Sequence, residues 1–278
     1  MNNKKPVLFI DSGIGGLPYC VDFCKNNPHE EACYLADTAN FPYGPRSKED
    51  LSSILTSLTE KLLKIIDPKI IVLACNTATI SALARLRERF PSIPFVGTVP
   101  ALKPASKNTS DKKIGILGTE RTIGEIRGLN LTEDTCEIIG IAAPELVEFV
   151  EHQIDKADEK TKNEIVKKYI DLFCAENAGS IVLGCTHFLF LLEEFRSEAS
   201  NPARSKKIDV YDSLEGITKR IEFLLDENNG LLRANDGNKP VHRIILTGDK
   251  LQLTQSALLN WETRARTLGF ELNLLNEI

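Results

Sequence analysis

The chain has 278 residues, 42% hydrophobic and 26% charged, which is enough apolar material for one large or two ordinary domains with sizeable cores. A formal net charge of −5 argues against a protein that grips phosphate backbones, and no apolar run approaches the roughly 18 residues of a membrane span. Seven cysteines without paired C-x-x-C spacing exclude a zinc ribbon and a full disulfide framework. The apolar run behind the basic Met1 to Lys5 is too short for a signal-peptide core, so a cytoplasmic protein with reduced thiols is expected.

In chain order, short apolar runs alternate with helical patterns. Strands are expected at Val7 to Ile10, Cys33 to Ala36, Ile70 to Ala74, Phe95 to Val99, Ile114 to Leu117, Ile138 to Ala142, Ile181 to Leu183 and Ile244 to Thr247. Apolar residues at successive positions indicate strands covered by helices on both faces, hence an α/β protein with mainly parallel sheets. Ser47 with Asp50 resembles a capping box that opens a helix from Leu51 to Ile66, and Asp67-Pro68 stops it. Pro144 suits the first turn of another helix.

Two stretches echo each other. Val72-Leu73-Ala74-Cys75-Asn76-Thr77 is matched by Val182-Leu183-Gly184-Cys185-Thr186-His187, each an apolar strand ending in a small residue, a cysteine and hydrogen-bonding groups. Upstream of each, a strand runs into a polar, glycine-bearing loop, Asp11-Ser12-Gly13 in one case and Gly118-Thr119-Glu120 in the other, at nearly equal offsets. The chain therefore reads as two related α/β domains, residues 1–99 plus 208–278 and residues 100–207. Their junctions fall in the Lys-, Ser- and Pro-rich segment Pro100 to Lys113 and in Ser197 to Lys207.

Ligands in open α/β sheets bind at the carboxyl ends of strands, where helix N-termini present donors and favour a thiolate. Cys75 and Cys185 stand at such ends, followed by polar residues that a core would not choose. If the two domains face each other across a cleft, the two sulfurs can address opposite faces of one carbon. That is the requirement for inverting a stereocentre by proton transfer. Asp11 is the candidate to adjust the first sulfur, and His187 with Glu151 the second. The glycines after Asp11 match neither dinucleotide nor Walker spacing and serve equally to bring backbone N–H groups to a carboxylate. Cys20 and Cys24 share a helix face without further ligands and are expected to be buried thiols rather than a metal site.

Taken together, these motifs resemble the glutamate racemases, cofactor-independent members of the aspartate/glutamate racemase superfamily. The resemblance covers Phe9 to Gly16, Ala36-Asp37 with Pro42-Tyr43-Gly44, Ala74 to Ala78, Gly97 to Ala105, Gly184 to His187 and Thr247-Gly248-Asp249. It implies two α/β domains with pseudo-twofold symmetry, a D/L-glutamate site in the cleft between them, and no cofactor or metal. It further implies that Cys75 takes the α-proton of D-glutamate and Cys185 that of L-glutamate, with Asp11, Glu151 and His187 assisting. Substrate contacts carried over are Asp11, Ser12, Pro42, Tyr43, Gly44, Asn76, Thr77, Thr119, Thr122 and Thr186. A homodimer and a supply of D-glutamate for peptidoglycan are expected on the same ground.

The chain departs from the family's habit at Phe188 and Leu189, where Tyr and Pro are usual, at Gly118 in place of Ala, and at Glu148 in place of Pro. The alternatives are a racemase of another amino acid such as aspartate, a cysteine hydrolase that uses Cys185 with His187, and a non-catalytic amino-acid binder. The hydrolase would make Cys75 dispensable.

Overall fold

The computed structural model describes residues 5–108, 112–127, 136–204, 206–227, 239–248 and 253–275. The chain divides into two compact units, Met1–Thr98 with Leu214–Ile278, and Val99–Ser213. The first unit begins with β1 (Val7–Asp11), α1 (Leu17–Asn26), β2 (Ala32–Ala36), α2 (Lys48–Leu62), β3 (Ile70–Leu73), α3 (Asn76–Arg89) and β4 (Phe95–Gly97). The second holds α4 (Leu102–Asn108), β5 (Lys113–Gly118), α5 (Glu120–Arg127), β6 (Glu137–Ala142), α6 (Pro144–His152), α7 (Glu159–Ala175), β7 (Ser180–Leu183), α8 (Leu192–Ala199) and β8 (Asp209–Tyr211). The chain then returns to the first unit as α9 (Leu214–Glu227), β9 (Arg243–Thr247), α10 (Gln255–Leu268) and β10 (Glu271–Leu275).

In the first unit a six-stranded parallel sheet has the order β10-β9-β2-β1-β3-β4. Strand β1 is flanked by β2 and β3, so successive crossovers leave it in opposite directions, which opens a crevice at the carboxyl ends of β1 and β3. Alternation along β1 explains the continuous apolar run. Leu8 and Ile10 face a core completed by Leu51, Leu55, Leu58 and Leu62 of α2 and by Ala78, Ala82 and Leu86 of α3. On β1, Phe9 instead meets Phe23 of α1, with ring centroids 5.7 Å apart. Each such fully buried leucine or phenylalanine contributes about 1.5–3 kcal/mol. As the capping box implied, the Ser47 hydroxyl accepts the Asp50 N–H at 3.0 Å and starts α2.

The second unit repeats the device with a four-stranded parallel sheet, β6-β5-β7-β8. Here β5 lies between β6 and β7, and the crevice forms at the ends of β5 and β7. Leu102 and Ala105 of α4 and Ile123 and Ile126 of α5 cover Ile114, Ile116 and Val182.

One expectation is corrected. The strand starting near Val210, placed from sequence in the return segment that began at residue 208, pairs with β7 through Ile181 and Val210, so the return begins at Leu214. A three-residue strand carries too little pattern to reveal which sheet it joins. The segment Pro100 to Lys113, expected as a junction, follows the boundary between the units and carries α4, whose Leu102 and Ala105 are buried despite the surrounding lysines. Strand β10 escaped the sequence reading because its residues alternate polar and apolar at a sheet edge. Among the described residues no helix is long and apolar enough to cross a membrane.

Candidate active site residues at the strand ends

In the first unit, pairing of β1 with β3 sets Asp11 beside the turn that carries Cys75. The Ala74 N–H donates to the Ile10 carbonyl at 2.8 Å, extending the ladder one step past β3 before the chain turns into α3. Cys75 occupies the N-cap of α3 in an extended conformation, makes no side-chain cap hydrogen bond and is half-buried. Its residue therefore stands at the positive end of a fourteen-residue helix. Asn76, Thr77 and Thr79 follow as buried polar groups. Asp11 is fully buried, and its Oδ1 accepts the Gly13 N–H at 3.2 Å and the Ser12 hydroxyl at 3.3 Å, folding the loop around the carboxylate. Gly16 permits this closure, since a Cβ there would lie 2.6 Å from the Ala74 Cβ.

Pro42, Tyr43 and Gly44 lie between β2 and α2, with Tyr43 buried and its neighbours half-buried. The Tyr43 hydroxyl donates to Asp37 Oδ2 at 2.7 Å. Burial, then the Asp37 carboxylate beside it, hold the phenol well above its ordinary pKa, and the charges of Cys75 and Asp11 add to the effect. The same carboxylate accepts the Thr247 hydroxyl at 2.6 Å and the Asn40 amide at 3.0 Å. In the sequence Asp37 and Thr247 stand within family-like motifs that by themselves assign neither a role. Their positions at strand ends were the available signal. Asp249 lies outside the described residues.

In the second unit the Gly184 N–H donates to the Leu117 carbonyl at 2.7 Å, the counterpart of the Ala74 bond. Cys185 again caps in an extended conformation, here ahead of a 3-10 helix, Thr186–Leu191. Its Sγ lies 3.7 Å from His187 Nδ1, and His187 Nε2 lies 2.7 Å from Glu151 Oε1 on the last turn of α6. All three side chains are largely shielded from water. Burial opposes charge on the imidazole, but the contacts with Cys185 and Glu151 outweigh it and raise the His187 pKa well above the ordinary histidine range.

Thr119 Oγ1 accepts the Thr122 N–H at 3.2 Å and lies 3.0 Å from the Thr122 hydroxyl, which caps α5 at the carboxyl end of β5. Thr186, Thr122 and His187 are buried beside the two strand ends. The first unit thus gathers Asp11, Ser12, Pro42, Tyr43, Gly44, Cys75, Asn76 and Thr77, and the second gathers Thr119, Thr122, Glu151, Cys185, Thr186 and His187.

The departures fall around this group. Phe188 is fully buried and Leu189 nearly so. Glu148 is exposed and pairs with His152 at 3.3 Å. All seven cysteines are free thiols. Cys20 is buried, whereas Cys24 is half-buried and lies 3.6 Å from His242 Nδ1. Among the described residues no cluster of His, Cys, Asp and Glu could hold a metal ion.

The sequence model of the Asp/Glu/Hydantoin racemase family matches residues 20–218. A glutamate racemase of Clostridium acetobutylicum is 35% identical over 251 residues, covering 89% of this chain and 94% of the relative. Among solved structures, the glutamate racemase isoform RacE1 of Bacillus anthracis superposes with a TM-score of 0.77 at 27% identity, over 100% of this chain and 98% of that one. The Escherichia coli glutamate racemase, solved with L-glutamate and the activator UDP-MurNAc-ala, superposes with a TM-score of 0.79 at 26% identity over 98% of each chain.

Proposed function

The chain belongs to the Asp/Glu/Hydantoin racemase family and is an amino-acid racemase, and from that premise we propose that it interconverts L- and D-glutamate by proton transfer between two cysteines. The observation that carries the reading is that each unit ends its switch-point strand in the same way. A small residue hydrogen-bonds to the neighbouring strand, and an extended N-cap cysteine follows. The substrate assignment draws support from the relatives, which are named glutamate racemases.

Racemisation by this pair requires both sulfurs at one α-carbon. One thiolate removes the α-proton, the C–H electron pair passes to the carbon, and the other cysteine's thiol delivers a proton to the opposite face. Each turnover leaves the first cysteine protonated and the second ionised, ready for the reverse direction. Cys75 acts on D-glutamate with Asp11 beside it, and Cys185 acts on L-glutamate with His187 held by Glu151. Neutral groups bind the substrate carboxylates: the hydroxyls of Ser12, Thr77, Thr119, Thr122 and Thr186, the Asn76 amide and backbone N–H groups of the Pro42–Gly44 loop. The protein acts as a cytoplasmic homodimer that supplies D-glutamate for peptidoglycan.

One observation favours a second reading. The chain of contacts from Cys185 through His187 to Glu151 has the order of nucleophile, base and orienting carboxylate in a cysteine hydrolase. Incubation with D-glutamate and separately with L-glutamate in deuterium oxide separates the two. Loss of optical activity from both enantiomers, with deuterium at the α-carbon of the inverted product, is the expected result. Absence of exchange from either enantiomer in folded protein would overturn the proposal, and a parallel panel with aspartate tests the neighbouring substrate.

A further inference from the structure

The C-terminal return segment reaches the candidate substrate loop through Thr247. Thr247, fully buried at the end of β9, donates to Asp37 Oδ1 at 2.6 Å and accepts the Ala39 N–H at 3.1 Å. Its carbonyl accepts the Thr38 hydroxyl. Asp37 is also fully buried and is gripped from several directions: its N–H donates to the Asp11 carbonyl at 2.7 Å, and its other carboxylate oxygen takes the Tyr43 hydroxyl. Asn40 donates to both carboxylate oxygens. Beyond it, Arg46 Nε donates to the Asn40 carbonyl at 2.9 Å, tying the far side of the loop to the same cluster.

A buried carboxylate is tolerated when hydrogen bonds satisfy it, and it then becomes a rigid anchor for whatever donates to it. Here the donors are the Asn40 amide, the tyrosine at the centre of the Pro42–Gly44 loop and a threonine from the chain's return. We infer that Thr247, acting through Asp37, is a positioning residue that sets the Pro42–Gly44 loop for substrate binding. This rests on the reading of that loop as a substrate contact. Thr247 is distant from the candidate cysteines in sequence and transfers no proton, so its influence falls on affinity rather than on the chemical step.

The test compares Thr247→Val with Thr247→Ser. Valine keeps the shape and loses both hydrogen bonds, whereas serine keeps the hydroxyl. For the valine variant, KM for both enantiomers of glutamate rises on the order of tenfold while kcat stays within about threefold, and serine restores KM. Hydrogen–deuterium exchange of residues 38–46 is followed in the same proteins. It accelerates in the valine variant and returns toward the unaltered rate in the serine variant. Unchanged KM in folded Thr247→Val, or a serine variant as impaired as the valine one, overturns the inference. If the unaltered chain does not racemise glutamate, the substrate reading has failed, and exchange at 38–46 still decides whether Thr247 holds the loop.

Discussion

His187 and Glu151 form a buried pair, Nε2 to Oε1 at 2.7 Å, between the 3-10 helix that follows Cys185 and the last turn of α6. Against the opposing effect of burial, the His187 pKa is raised by the contact with Cys185 and then by Glu151, which makes these contacts a source of stability with a defined pH dependence. The folded value exceeds the unfolded one, so the stabilisation is complete below the unfolded value of about 6.5 and is lost as pH rises through the folded value. Glu151→Gln is expected to cost about 1–3 kcal/mol near pH 6. The gap to the unaltered protein narrows as pH increases. Thermal melts across pH check this, and a gap that widens with pH would refute it.

Cys75→Ser and Cys185→Ser should each lower racemisation on the order of 10²–10⁴-fold while the melting curve stays close to that of the unaltered protein. Serine preserves size but is a far weaker acid than cysteine. Polarimetry with each enantiomer provides the measurement. Near-normal turnover with serine at either position would eliminate the two-cysteine mechanism, and retention in Cys75→Ser alone would favour a nucleophilic role for Cys185.

The two glycines at the ends of β1's loop and of β5 should respond differently to a methyl group. Gly16→Ala brings a Cβ to 2.6 Å from the Ala74 Cβ and 2.7 Å from the Ala74 carbonyl oxygen, directly behind Cys75. It should cost about 1–3 kcal/mol and depress activity. At Gly118 the nearest atom to a new Cβ is the Gly184 carbonyl oxygen at 3.6 Å, an ordinary contact. Gly118→Ala should therefore change stability by less than about 0.5 kcal/mol, measured by urea unfolding.

Lys69 pairs with Glu30, whose side chain is almost entirely shielded. Removing the cation in Lys69→Met leaves a buried charge and should destabilise the first unit by about 3–5 kcal/mol. Replacing Glu30 as well, in Lys69→Met with Glu30→Leu, should recover most of that loss. Denaturant titration of the single and double variants tests the coupling, which a simple additive loss would rule out.

Much of this architecture was legible before any contact was known. Apolar runs such as Val7 to Ile10 announce strands covered on both faces, and Ser47 with Asp50 marked a helix start that the structure reproduces. The polar residues after Cys75 and Cys185 marked strand ends, where hydroxyl, amide and imidazole groups gather, and both cysteines are indeed N-cap residues following a strand. The short strand β8 was assigned to the wrong unit since three residues cannot disclose their pairing partner. Strand β10 alternates at an edge and was missed altogether.

The amino-acid order by itself determined most element types, the doubling of the cysteine motif and the family, since these depend on local periodicity and on residues close in the chain. Tertiary structure alone decided that Asp37 meets Thr247 across 210 positions, and it supplied the 2.7 Å geometry of the His187–Glu151 pair that the sequence only nominates. Those contacts follow from strand order and from how helices pack back onto the sheets. A hydrogen bond between distant residues is set by the three-dimensional paths of two segments, and neither segment carries a local signal of the other.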